Sequence, residues 1–197
     1  MRRKTFDALF TFGGLAIAIV LLAAGGLLTW ASSFVGDEVH TQLSQQQIYF
    51  PPKGSEALAP PAIGPHLNQY AGKQLLTGPE ANAYANYFIK VHLQAIGGGK
   101  TYAQLSAAAK ADPTNTKLAA QVETVFKGET LRGLLLNAYA FATMGTIAGI
   151  AAIVSFVGAG VLLIMAAFGF VHLRRTSRDD DVLPRFGAHL PAVSEAV

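Results

Sequence analysis

The chain contains no cysteine. That excludes disulfides, thiolate metal sites, iron–sulfur clusters and a cysteine nucleophile. It also excludes a diacylglyceryl lipoprotein anchor, which is built on that residue. Charge is scarce as well. Only 14% of the residues are Asp, Glu, Lys or Arg, against roughly 25% in an average soluble domain. The net charge is +3, and no basic run is longer than Arg2-Arg3-Lys4. A basic face for nucleic acid is therefore not expected. The deficit is concentrated in two places: Ala8 to Val35 carries no charged residue, and after Arg132 there is no Asp, Glu, Lys or Arg until Arg174.

Both stretches exceed the roughly 20 apolar residues that span a bilayer. The chain reads as an all-α membrane protein with two transmembrane helices and a small helical extracytoplasmic domain packed on the extension of the second helix. The first span, 8–35, follows a cytoplasmic N-terminus, 1–7. It is about twice as long as the apolar core of a secretory signal, so it reads as an uncleaved anchor. Trp30 suits the aromatic belt near its far end. Arg2, Arg3 and Lys4 flank the first span on the side where Arg174, Arg175 and Arg178 flank the second. The positive-inside rule then places both termini in the cytoplasm of a multi-pass plasma-membrane protein, with 36–129 outside. A long helix is expected over 130–173, with about 143–173 in the membrane and its first turns projecting outward. The tail, 174–197, reads as disordered, its acids and arginines cancelling.

The spans are rich in small residues, which let helices approach closely in lipid. Gly13, Gly14, Gly25 and Gly26 mark a packing face on the first span. Gly145 and Gly149 form a GxxxG pair on the second, to pack either on the first span or on a partner subunit. Neither span holds an ionisable residue at mid-depth, which argues against a proton relay. Thr143, Thr146, Ser155 and Asn137 are the polar residues available to line a pore.

In the outer segment seven lysines (53, 73, 90, 100, 110, 117, 127) balance seven acids (37, 38, 56, 80, 112, 123, 129), so strong electrostatic steering is not expected. Gly36 to Pro65 reads as an ordered start followed by extended chain, halted by Pro51-Pro52 and kept from helix by Pro60, Pro61 and Pro65. Helices are expected from Pro65 to Ala71, closed by Gly72; from Pro79 to Ile96, stopped by Gly97-Gly98-Gly99; and from Tyr102 to Ala111, capped by Thr101. A further helix should be capped by Asp112 and opened by Pro113, with Gly128 either separating it from the second span or lying within one continuous helix. On the second of these, Tyr84, Phe88, Val91, His92 and Ala95 share one face. The apolar trio Ile48-Tyr49-Phe50 is expected to pack on the helices that follow, and Tyr49, Phe50 and Tyr84 are the candidate partner surface.

Five phrases carry a family resemblance: Lys4-Thr5-Phe6-Asp7-Ala8-Leu9, Gln45-Gln46-Gln47-Ile48-Tyr49-Phe50-Pro51-Pro52, Ala83-Tyr84-Ala85-Asn86-Tyr87-Phe88-Ile89, Gly97-Gly98-Gly99-Lys100-Thr101-Tyr102, and Gly128 to Tyr139. Across most of residues 4 to 175 the chain resembles an uncharacterised family of two-transmembrane-helix proteins from actinobacteria, catalogued as an aromatic ring-opening dioxygenase of small-subunit type. The resemblance implies an actinobacterial plasma-membrane protein and supplies no catalytic residues.

The residues themselves speak against that chemistry. A non-haem iron triad needs two histidines and a carboxylate. His40, His66 and His92 are far apart in sequence, with no His-x-x-x-His or His-x-Asp among them. Gly97-Gly98-Gly99-Lys100-Thr101 fails the phosphate-loop spacing because position 94 is Gln, and no Gly-x-Ser-x-Gly is present. No cofactor, metal or catalytic residue is expected. The expected role is non-enzymatic: an accessory or scaffold protein in the lipid bilayer that binds another membrane or envelope protein. The alternatives are self-assembly into a homo-oligomer and a subunit of a ring-cleaving dioxygenase.

Overall fold

The computed structural model describes residues 3–175, so all but the start of the tail read at 174–197 lies outside the described residues. Those residues are helical, with no strand among them. Helix α1 spans Arg3–Gln45, α2 Gly64–Leu67, α3 Gly78–Ala83, α4 Lys90–Ile96, α5 Tyr102–Ala111 and α6 Thr116–Arg175; a π-helical segment, Tyr84–Ile89, joins α3 to α4. Both α1 and α6 are long and apolar enough to cross a membrane. At 43 and 60 residues they measure about 64 and 90 Å at 1.5 Å per residue. The chain falls into two compact units, one of residues 1–27 with 151–197 and one of residues 28–150.

The first unit is a helix pair. Its buried positions fall seven apart: Thr11, Ala18 and Gly25 on α1, and Ala152, Ala159 and Ala166 on α6. Such a repeat keeps one seam facing the partner helix in a left-handed coiled coil. The helices run antiparallel, because Thr11 lies against Gly169, Leu21 against Gly158 and Gly25 against the Phe156 ring. Hydroxyls within these apolar stretches bond back to their own helix, as Thr11 Oγ1 does to the Asp7 carbonyl at 2.8 Å and Ser155 Oγ to Ala151 at 2.8 Å. That satisfies them without water.

The second unit has a core of Val39 and Leu43 from α1, Leu135 from α6, and Phe50, Leu58, Ile63, Leu67, Leu75, Ala81, Ala85, Ile89 and Leu93 between them. It is thus built on both long helices, not on the extension of the second alone. Here too α1 and α6 are antiparallel, with Ser32 against Gly149 and Val35 against Gly145.

Four expectations are corrected. The ordered start after Gly36 is α1 itself, continuing to Gln45, where Gln46 and Gln47 turn back on Leu43 and Ser44 and Gln47 takes φ 51°. The prolines, however, do not keep the rest from helix: a single 3-10 turn spans Glu56–Leu58 and α2 carries Pro65 in its first turn. The second long helix begins at Thr116, not near 130, and runs through Gly128. That glycine marks a close approach, since a Cβ there would strike the Leu93 side chain. Asp112 does not cap the helix. Asn115 does, its Oδ1 accepting the Leu118 N–H at 3.0 Å, while Asp112 accepts from the side chains of Thr114 and Asn115. Finally, His92 and Ala95 are exposed and Leu93 is buried in their place. A π segment bonds i to i+5, so Tyr84–Ile89 adds about a residue to the turn and rotates the face that follows.

The local caps follow their side-chain chemistry. Thr77 and Glu80 close a capping box on α3, and Thr101 and Gln104 close one on α5, each satisfying two otherwise orphaned backbone donors. Glu80 Oε2 also accepts from the Leu76 N–H at 2.9 Å, fastening the approach to α3. Gly98 and Gly99 have positive φ just past the end of α4, and Gly72, also at positive φ, follows a 3-10 turn at Asn68–Tyr70 beyond α2.

Candidate interaction surfaces

The expected partner surface is divided by the fold. Residues Ile48 to Phe50 are strand-like: Phe50 N–H donates to the Lys73 carbonyl and Leu75 N–H to that of Ile48, each at 2.9 Å, and Tyr49 pairs with Gln74. Alternate side chains of extended chain point opposite ways. Tyr49 is therefore exposed (57%), while Phe50 is buried at 2%. Phe50 stacks on Tyr70 at 5.1 Å and meets the Tyr84 ring edge-on at 5.3 Å. Phe50 packs inward, as expected of part of the Ile48–Phe50 trio, so it is a core residue and not part of a binding surface, and Tyr84 is half-buried beside it.

Burial raises the Tyr84 phenol above its ordinary value near 10. In the unfolded chain the phenol ionises near pH 10, while in the folded chain it holds its proton higher. Above pH 10 the unfolded state therefore binds fewer protons, and stability falls as pH rises towards the folded value. Alkaline unfolding followed by near-ultraviolet circular dichroism should show this loss, and Tyr84→Phe should shift its onset to higher pH.

The π segment also orders a polar contact with α6. Arg132 donates from Nη2 to Asn86 Oδ1 at 3.2 Å and pairs with Glu129 at 3.1 Å, and Asn86 donates to Asn82 at 2.7 Å. These residues hold α6 against the turn that carries Tyr84 and Phe88.

The glycines read as packing residues differ in surroundings. Gly145 and Gly149 face Val35 and Ser32 of α1, and Gly25 faces Phe156. A Cβ added at Gly13, Gly14 or Gly26 would meet nothing within 4 Å. The seven-residue spacing accounts for the distinction between Gly25 and Gly26, since only Gly25 continues the series from Thr11 and Ala18.

A surface missed at the sequence level lies between α1 and α6 in the second unit. It is a groove of about 390 Å³ lined by Phe34, Val35, Glu38, Val39, Gln42, Leu43, Gln46, Leu134, Leu135, Ala138 and Phe141. Leu43 and Leu135 form its buried floor, while Leu134 (56% exposed) and Phe141 (58%) form a wall. Gln42 Nε2 donates to Glu38 Oε1 at 2.7 Å and makes a polar rim. Leu134, Ala138 and Phe141 recur at i, i+4 and i+7 along α6. An apolar floor with a polar rim is the form that accepts the apolar face of an amphipathic helix.

No protein-family model, curated protein or solved structure matches this chain.

The donor set that a ring-cleaving iron site would need is not assembled among the described residues, where no group of three His, Cys, Asp or Glu could hold a metal ion. His40 lies on α1. His66 stacks on Tyr87 at 3.7 Å, and His92 Nδ1 is 2.8 Å from the Phe88 carbonyl oxygen. The residues present do not fit a facial triad, and no step of such a reaction is derived.

Proposed function

We propose that the chain is an integral plasma-membrane accessory or scaffold protein that acts by protein–protein interaction. In this reading α1 and α6 cross the bilayer with both termini in the cytoplasm, and residues 36–129 form an extracytoplasmic unit. The basic residues at Arg2, Arg3, Lys4, Arg174 and Arg175 support that orientation. The likeness to an actinobacterial two-span family supports the same localisation.

The observation that carries the reading is the apolar groove walled by Leu134 and Phe141. In this reading its α6 wall, N-terminal to about residue 143, lies outside the hydrocarbon, where exposure of these side chains to water is unfavourable. Covering them with a partner helix removes apolar area worth about 25 cal/mol per Å². The partner class that fits is a membrane or envelope protein offering an amphipathic helix at the outer surface.

The test is a gentle-detergent pull-down of tagged full-length protein from its native membrane, with native mass measurement, beside the Leu134→Arg variant. Leu134 is exposed, so the substitution leaves the core intact. The expected result is a reproducible heterologous partner whose recovery falls at least about 30-fold in Leu134→Arg, the loss of one hot-spot residue. A homo-oligomer sensitive to the same variant moves the function to self-assembly. A monomer without a partner ends the scaffold reading.

A further inference from the structure

The seam of the first unit is not closed along its whole length. An open groove of about 750 Å³ lies between residues 7–17 of α1 and 162–172 of α6. Its floor is made of small residues, Gly13, Gly14, Ala166 and Gly169, and Phe10 and Phe168 stand as its walls. Thr11 on the floor is buried with its hydroxyl bonded to the Asp7 carbonyl, so that hydroxyl is not a free donor. From residue 7 to residue 17 an α-helix advances about 15 Å, which is one leaflet of a hydrocarbon core about 30 Å thick. Deeper in the seam, Leu21 lies against Gly158 and the Phe156 ring covers Gly25, so the groove stops at that depth.

The mouth differs chemically from the floor. His172 Nε2 lies 3.5 Å from Asp7 Oδ2, and that oxygen is buried with no hydrogen-bond partner. Arg174 and Arg175, both exposed, lie two and three residues beyond His172, and Arg3 and Lys4 precede Asp7 in the sequence.

We propose that this groove is a binding site for an anionic phospholipid. The acyl chain lies along the Gly13/Gly14 floor. The phosphate is drawn to Arg174 and Arg175. The depth decides between a lipid and a helix: a transmembrane partner would need an open face through both leaflets, whereas an acyl chain needs one. Charge decides the headgroup, since each Lys or Arg near the surface favours an anionic lipid roughly fivefold. The site rests on the bilayer-spanning reading above.

The experiment uses the full-length protein purified from membranes, with phosphatidylglycerol and phosphatidylcholine offered in equal amounts and retention read by native mass spectrometry. One phosphatidylglycerol per chain should be retained, preferred about 25-fold or more over phosphatidylcholine. Gly13→Leu/Gly14→Leu fills open space and should abolish that retention. Arg174→Gln/Arg175→Gln should lower the preference roughly fivefold per charge while leaving the groove intact. Equal retention of the two lipids, or retention unchanged when the groove is filled, overturns the proposal. So does a wild-type dimer that Gly13→Leu/Gly14→Leu converts to monomer, which would assign the groove to a second copy. Extraction of the chain from membranes by alkaline carbonate would end the bilayer-spanning reading and the site with it. An integral chain without lipid preference ends the site alone.

Discussion

Replacing Phe50 by alanine should destabilise the second unit by about 3–5 kcal/mol, the range for removing a large aromatic from a packed core. The ring is enclosed by Tyr70 and Tyr84, and such aromatic pairs add about 0.5–1.5 kcal/mol beyond the area they bury. The cavity cannot easily collapse. The backbone at Phe50 is tied to Lys73 and followed by Pro51-Pro52, and Leu67 and Leu75 are themselves fully buried. Domains have only about 5–15 kcal/mol of stability in total, so a loss of this size is a large fraction of it. Tyr49→Ala, one residue away, removes an exposed ring and should change stability by no more than about 0.5 kcal/mol. Denaturant unfolding of the full chain in mild detergent, followed by near-ultraviolet circular dichroism, separates the two. If Phe50→Ala kept its midpoint and lost only partner binding, Phe50 would be a contact residue and the core described here would be wrong.

The contrast between Tyr49 and Phe50 also shows where the sequence was legible. Local chemistry was readable: Thr101 as a cap, Gly72 and Gly97-Gly98-Gly99 as stops, and two apolar stretches long enough to span. These depend on nearest neighbours and on total hydropathy. Helix ends beyond the spans were not readable in the same way. Hydropathy falls at Gly36, yet nothing from Asp37 to Gln45 breaks a helix, and one glycine costs only about 1 kcal/mol. Gly128 carried an ambiguous signal, because a glycine required by close approach to Leu93 looks the same in sequence as one that ends a helix. The π segment left no sequence mark, and it moved the buried position from His92 to Leu93. The groove at Leu134 and Phe141 could be recognised only once α1 was known to continue past Gly36, since Glu38, Val39, Gln42 and Leu43 supply its other side.

The paired substitution Gly145→Leu/Gly149→Leu should separate α1 from α6 in the second unit. A Cβ at Gly145 would sit 3.0 Å from Val35 Cγ1 and 3.3 Å from its Cβ, and one at Gly149 would sit 2.9 Å from Ser32 Oγ. Ser32 can rotate its hydroxyl away. Val35 cannot, because a β-branched residue in a helix has essentially one rotamer, so Gly145 is the stiffer of the two sites. Leucine adds three more carbons beyond that point, and overpacking typically costs about 1–3 kcal/mol per site. Better helix propensity returns up to about 0.8 kcal/mol for each glycine replaced. The net expectation is a loss of roughly 1–4 kcal/mol for the pair, read as a lower midpoint when the full chain is unfolded by denaturing detergent in mixed micelles. Gly26→Leu is the matched control: the same residue change, on α1, where an added Cβ meets nothing within 4 Å. It should hold or slightly raise the midpoint. A paired variant that kept the wild-type midpoint but dissolved an oligomer would move Gly145 and Gly149 to a contact between chains. A lowered midpoint in a monomer assigns them to the intrachain seam, and partner recognition then rests on the groove at Leu134 and Phe141.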